Sequence, residues 1–306
     1  MKKIENAHVI PYYDRKGEID ALQPLEECSV VTSIGNLIPI YQVDDHGRKK
    51  LSPVKYHKNG NIRSISLQTP IKVSTSIGPI EGELITFYAD GSLCRIFPLN
   101  GKLSGYWSET NEYKLADILS VNTSVGLLEV KAINIQFYHT GELKSITLWP
   151  GERPVIRMDK DDWIIRKGIS FYRNGKLQSC EPALPIHLET KIGVVEAYDP
   201  DPNGIDGNKN SLVFSETGKV INLSTSGSKI KVCDEWGTKY SFEPGIIRSH
   251  CSDDRFAVEP LKIRLEEELV IFQKGLRATG KVHLKSHFTT EEFHSGLNLQ
   301  GEILHC

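Results

Sequence analysis

The chain has 306 residues, 37 Lys+Arg against 39 Asp+Glu, and a formal net charge of −2. That balance excludes a generic polyanion binder, which carries a strong basic excess. Apolar residues make up 39% and charged residues 25%, compatible with a soluble globular chain of one large domain or two of ordinary size.

At the start, Met1-Lys2-Lys3 resembles an n-region, but Glu5, Asn6, His8 and Asp14 interrupt any apolar h-region after it. No window approaches the roughly 18 uninterrupted apolar residues of a membrane span. The cysteines, Cys28, Cys94, Cys180, Cys233, Cys251 and Cys306, are widely spaced and none forms a C-x-x-C. That is no disulfide scaffold. A cytoplasmic protein with reduced thiols and no membrane span is expected.

One unit then recurs along the chain. An aromatic residue is followed four positions later by Gly, with apolar residues two and five beyond the Gly. The copies are Tyr13…Gly17…Ile19…Leu22, Tyr56…Gly60…Ile62…Ile65 and Phe87…Gly91…Leu93…Ile96. Phe137…Gly141…Leu143…Ile146, Phe171…Gly175…Leu177…Cys180 and Phe214…Gly218…Val220…Leu223 follow. Asn59-Gly60, Asp90-Gly91 and Asn174-Gly175 are strong hairpin signals, because the turn needs positive φ and Gly supplies it without steric cost. The alternation of Ile133, Ile135 and Phe137 predicts a strand with one buried face ahead of its turn. The three-residue apolar step after each turn predicts a β-bulge. A helix would also permit that step, but the β-branched and aromatic content and the nearby prolines argue against one.

A second block follows the hairpin: Thr32-Ser33-Ile34-Gly35, Thr75-Ser76-Ile77-Gly78, Thr123-Ser124-Val125-Gly126 and Thr190-Lys191-Ile192-Gly193. In three copies its Gly lies 18 residues beyond the hairpin Gly. The unit therefore reads as a hairpin, a Pro-containing corner and a third strand ending in Gly. The pairs Gly17/Gly60 and Gly175/Gly218 share a separation of 43 residues and are offset by 158, which predicts two related halves, 1–160 and 161–306, the second degraded. The two halves could equally form one continuous domain.

These units, best seen in Phe87-Tyr88-Ala89-Asp90-Gly91-Ser92-Leu93 and Phe171-Tyr172-Arg173-Asn174-Gly175-Lys176-Leu177, resemble MORN-type repeats in their divergent bacterial form. The resemblance is discontinuous, over about residues 9–223. It departs from that pattern in spacing, with hairpin glycines 31 to 50 residues apart. It implies an extended, antiparallel, all-β sheet used for contacts with proteins or lipids rather than for catalysis. A β-propeller is the alternative, although its blades want steadier spacing.

Beyond the repeats, Glu112–Leu119 is expected to form one or two helical turns. Leu261, Ile263 and Leu265 alternate as in a strand, and Thr289-Thr290-Glu291-Glu292 looks like a short helix start. The stretch Asp199, Asp201, Asn203, Asp206 sets oxygen ligands around a Gly turn. It reads either as a calcium loop or as an enlarged Asx/Gly turn, and position 12 is Asn210 rather than the Glu of an EF-hand. His283, His287 and His294 are the densest metal-ligand types, but strand-like alternation around His283 separates their rings. No other cofactor is expected.

The sequence holds no Gly-x-Ser-x-Gly, His-Glu-x-x-His, phosphate loop or dinucleotide fingerprint. Arg48-Lys49-Lys50 is too short a basic run for a nucleic-acid footprint. Tyr88, Tyr138 and Tyr172 each follow a turn aromatic and should point to the opposite face, where tyrosine serves either an interaction surface or cross-strand packing. Two functions follow. One is a non-catalytic module that presents a sheet face to an unidentified protein partner. The other is an enzyme acting on a glycan or other polar polymer, with carboxylates and Trp107, Trp149, Trp163 or Trp236 lining a groove.

Overall fold

The computed structural model describes residues 7–42, 53–100, 108–158, 161–202, 204, 206–248 and 255–297. Strand accounts for 58% and helix for 3%, so the chain is all-β. Two compact units divide it: Met1–Pro154 with Phe171–Gly175, and Val155–Ser170 with Lys176–Cys306. The sequence offset put the division between 160 and 161.

The first unit holds β1 (Val9–Tyr13), β2 (Ile19–Pro24), β3 (Val30–Thr32), β4 (Gly35–Leu37), β5 (Val54–Tyr56), β6 (Ile62–Thr75), β7 (Gly78–Phe87) and β8 (Leu93–Phe97). After the short helix α1 (Glu109–Leu115) come β9 (Leu119–Thr123), β10 (Gly126–Val130), β11 (Ala132–Phe137) and β12 (Leu143–Leu148). Its main sheet runs β1-β2-β5-β6-β7-β8-β11-β12, a meander in chain order, while β3–β4 and β9–β10 form separate two-stranded ribbons. Ser108 caps α1 through its hydroxyl, which accepts from the N–H of Asn111.

The second unit begins with β13 (Val155–Arg157), β14 (Asp162–Phe171), β15 (Leu177–Pro182), β16 (Ile186–Thr190), β17 (Gly193–Ala197), β18 (Leu212–Phe214) and β19 (Val220–Thr225). It continues with β20 (Ser228–Cys233), β21 (Lys239–Phe242), β22 (Gly245–Arg248), β23 (Phe256–Glu259), β24 (Leu261–Leu265), β25 (Leu269–Lys274), β26 (Arg277–His283) and β27 (His287–Glu292). Its main path is β14-β15-β18-β19-β24-β25-β26, with β13 added to β14. Among the described residues neither sheet closes into a barrel, and long meanders take the place of a propeller's four-stranded blades.

The repeat is a register device. Each glycine of the six hairpins has φ between 81° and 99°. Its N–H donates to the carbonyl three residues back, as in Gly91 to Tyr88 (2.9 Å) and Gly141 to Tyr138 (2.9 Å). The aromatic pairs across the turn with the residue two beyond the Gly: Tyr56 with Ile62, Phe87 with Leu93, Phe137 with Leu143 and Phe214 with Val220. One residue is then skipped, so the register shifts beside every one of these pairs. That bulge explains the three-residue apolar step, since two residues of one strand oppose one of the other.

The residue five beyond each Gly lands in a common row. Leu22, Val54, Ile65, Ile85, Ile96, Ile135 and Ile146 are successive cross-strand partners in the first unit. From Val54 onward each is fully buried. In the second unit Leu223, Ile263 and Phe272 are successive partners and Cys180 pairs with Leu212, all of them buried. Burying a branched aliphatic side chain contributes about 1.5–3 kcal/mol, so these rows are the chief stabilising feature of each sheet. The Phe272 row ends on Gly280, whose missing Cβ lets the Phe242 ring stack on Phe272 at 4.0 Å.

The Thr-x-x-Gly blocks are two-residue hairpin loops. Thr32, Thr75, Thr123 and Thr190 each donate a hydroxyl proton to the carbonyl of the block's Gly at 2.6–2.7 Å. Each also accepts from the N–H two residues on, at 3.2–3.3 Å. The Gly therefore opens the next strand and does not end the third, as the sequence had suggested. A second expectation is corrected at Thr289–Glu292. These residues lie in β27, paired with β20 from Ser228–Glu292 to Cys233–His287, because ladder bonds outweigh the local helix-start signal.

Candidate functional site

The tyrosine series staples one hairpin to the next. The Tyr88 hydroxyl donates to the carbonyl of Phe137 at 2.8 Å, and that of Tyr138 to the carbonyl of Phe171 at 3.0 Å. His57 holds the same place after Tyr56, and its Nε2 lies 2.9 Å from the carbonyl of Phe87. A carbonyl only accepts, so this nitrogen carries the proton. Burial raises the Tyr88 pKa, with Cys94 adding to it. Tyr88 and Tyr138 thus direct their polar tips to neighbouring backbone. Tyr172 is half-buried, while Tyr13, at the first copy, is 61% exposed.

The described residues of the Asp-rich stretch make local turn hydrogen bonds. Asp199 Oδ1 accepts from the N–H of Asp201 at 3.1 Å, and the carbonyl of Asp206 accepts from the N–H of Lys209 at 3.1 Å. Asn203 lies outside the described residues, as do Trp107, Arg48-Lys49-Lys50, Cys251 and Cys306. No three His, Cys, Asp or Glu side chains converge to hold a metal among the described residues, His283, His287 and His294 included.

Asp199 instead belongs to the site with the most chemistry, an open cavity of about 540 Å³ within the second unit. The β14 backbone shapes its wall. Lys167 has φ 60°, the only positive value at a non-Gly residue among those described. Such a conformation stores strain in a residue carrying a Cβ. Next to it, Gly168 packs directly on the backbone of Gly207. Lys167 Nζ donates to the carbonyl of Lys209 at 2.7 Å, and burial lowers its pKa.

Two carboxyl groups line this cavity, Glu181 and Asp199, 0% and 5% exposed. Glu181 accepts from the N–H of Ser211 at 2.8 Å and from its hydroxyl at 2.7 Å. Burial pushes both pKa values up, against the lowering effect of those bonds at Glu181 and of the Asp201 N–H at Asp199. Around them stand Lys209, Lys262, Arg264 and Lys281. Asn210 donates from Nδ2 to Ser179 Oγ and to the carbonyl of Gly207, both at 2.8 Å. Its buried Oδ1 has no hydrogen-bond partner.

Of the tryptophans expected to flank a polymer groove, the three among the described residues lie elsewhere. Trp149 is buried against Tyr113, Trp163 stacks on Phe214 at 6.1 Å, and Trp236, 86% exposed, borders a separate cavity. Lys167, Glu181, Lys262 and Lys281 were not singled out by sequence reasoning. The usable signal was the alternation of Leu261, Ile263 and Leu265, which sends Lys262 and Arg264 to the opposite face.

No protein-family model matches the chain, and neither the curated proteins nor the solved structures contain a match.

Proposed function

We propose that the protein is a non-catalytic binding module, a MORN-like hairpin-repeat scaffold that presents repeated ribbon tips to a protein partner. The observation that carries this reading is a recurrent exposed apolar residue. In each short ribbon the cross-strand pair beside the Thr/Gly pair joins one polar and one apolar residue: Val31 with Asn36, Leu127 with Asn122, and Val194 with Glu189. Val31, Leu127 and Val194 are 62%, 60% and 49% exposed. Isolated exposed apolar residues are ordinary, but the same pair of three ribbons is a pattern.

The test is affinity capture from native lysate with the wild-type chain and with Val31→Asp/Leu127→Asp/Val194→Asp. A partner retained by the wild type and lost by the triple variant, at an unchanged melting temperature, supports the reading. Equal retention by both chains sinks it.

A second reading, an enzyme acting on a polar polymer, draws on one observation: Glu181 and Asp199 share a cavity. Among the described residues no Trp lines that cavity, which counts against it. Hydrolysis of a polysaccharide panel that is lost in Glu181→Gln would favour it over the scaffold.

A further inference from the structure

We infer that the cavity of the second unit binds a small phosphorylated sugar or polyol, with the phosphate held by Lys262 and Lys281 and a hydroxyl donated to Asn210. This goes beyond the scaffold reading and does not depend on it.

Charge is the first argument. The whole chain is slightly acidic, yet five cationic side chains line the cavity against two carboxyl groups. Arg264 is paired with Glu266 at 3.0 Å, and Lys167 is committed to the carbonyl of Lys209. The ammonium groups of Lys262 and Lys281 have no hydrogen bond or close ion pair among the described residues, although Lys262 stands near enough to Asp199 for its charge to lower that carboxyl's pKa. They come from β24 and β26, on either side of β25, so the sheet itself sets their spacing. Lys262 pairs with Gln273, and Lys281 with Ile271. Lys262 and Lys281 line the cavity together with Gln273 and Ile271, the residues they oppose on β25. The two carboxyl groups are occupied by backbone and serine donors, and burial disfavours their charged forms.

The second argument is the lone acceptor. A buried oxygen without a donor is costly, and Asn210 Oδ1 is such an atom. A bare phosphate dianion offers it no proton, whereas a sugar hydroxyl does once the Asn210 side chain turns this oxygen, otherwise closed to solvent, toward the ligand. The ligand that satisfies both features carries an anion at one end and hydroxyl donors at the other. The volume suits it, since small-molecule sites span roughly 300–1,000 Å³. The strained backbone of Lys167, locked where Gly168 meets Gly207, fixes the wall against which such a ligand would rest.

Isothermal titration of the full chain tests this with glucose 6-phosphate, ribose 5-phosphate, glycerol 3-phosphate, inorganic phosphate and glucose. At least one phosphorylated compound should bind about tenfold or more tightly than either inorganic phosphate or glucose. Lys262→Ala/Lys281→Ala should weaken that binding by about tenfold or more at an unchanged melting temperature, since both side chains reach solvent. Asn210→Ala should narrow the gap between the phosphorylated compound and inorganic phosphate. The inference is overturned if none of the phosphorylated compounds binds, if inorganic phosphate binds as tightly as they do, or if the double lysine variant keeps wild-type affinity. None of these results bears on the lysate capture that tests the scaffold.

Discussion

Replacing Gly168 by Ala should destabilise the second unit more than any turn-glycine substitution. A Cβ at residue 168 would lie 2.2 Å from the Cα of Gly207 and 3.0 Å from its carbonyl carbon and oxygen. Carbon atoms sit comfortably at about 3.5–4.0 Å, so the two segments would have to separate by more than about 1 Å. The obstacle is backbone and cannot rotate aside. Gly168 is not among the glycines with positive φ, so what it supplies is space rather than conformational freedom. Overpacking costs about 1–3 kcal/mol where side chains can adjust, and a backbone-on-backbone clash belongs at the top of that range. About 3 kcal/mol corresponds to a fall of roughly 6–12 °C in melting temperature for a unit of this size. Gly218→Ala is the control. Its φ is +82° with nothing within 4 Å, so only the left-handed backbone is penalised, at about 1–2 kcal/mol. Urea unfolding followed by tryptophan emission measures both, with Trp163 on Phe214 as a reporter inside this unit. If Gly168→Ala unfolds at or above the midpoint of Gly218→Ala, the close approach of residues 168 and 207 is refuted.

Gly91→Val should lose about 1–3 kcal/mol to backbone strain alone, because its φ is +91° and its surroundings are open; an unchanged urea midpoint would contradict the turn. Tyr88→Phe removes the donor to the Phe137 carbonyl and should cost about 1 kcal/mol in thermal unfolding, whereas a neutral result would mean that the staple contributes nothing. Burial raises the Glu181 pKa above its ordinary 4.5, so its contribution is complete below that pH and declines as pH rises through the folded value. Wild type should therefore lose stability relative to Glu181→Gln between acidic and neutral pH; a constant difference between the two urea midpoints across that range would refute the raised pKa.

The hairpins were legible because their chemistry is local. Positive φ at residue 91 or 141 requires Gly whatever the rest of the chain does, and a bulge beside each aromatic leaves its trace in apolar spacing. The hairpin that joins β20 to β21 escaped the pattern. It has the same turn, with Gly237 at φ 81° and its N–H on the Asp234 carbonyl, but Cys233 stands where the aromatic belongs. His57 escaped as a staple for a similar reason, since it shares the position of Tyr88 and Tyr138 but not their residue type. Residues 289–292 misled because their partner, β20, begins at residue 228, and no local window contains both. The cavity was least visible of all. Lys167, Glu181, Asp199, Asn210, Lys262 and Lys281 spread over more than a hundred positions and converge only through the meander.

Where the register is regular, this fold consumes its own polar groups. Threonine hydroxyls close their loops, and tyrosine hydroxyls and a histidine nitrogen bond carbonyls of the adjoining hairpin. Little is left over to recognise a ligand. The exception lies where regularity fails. Between β17 and β18, from Tyr198 to Ser211, none of the described residues forms a strand, and β14 opposite them takes a left-handed step at Lys167. There Glu181 is buried and held by Ser211, with the charge of Lys167 nearby, Asn210 keeps an unused acceptor, and a strained residue persists. Each costs stability, and each is found beside the same cavity. Such local departures gather at functional sites because packing elsewhere can carry them. The apolar row through Leu223, Ile263 and Phe272 supplies the buried area that carries them here, and Leu223 and Ile263 also border the cavity.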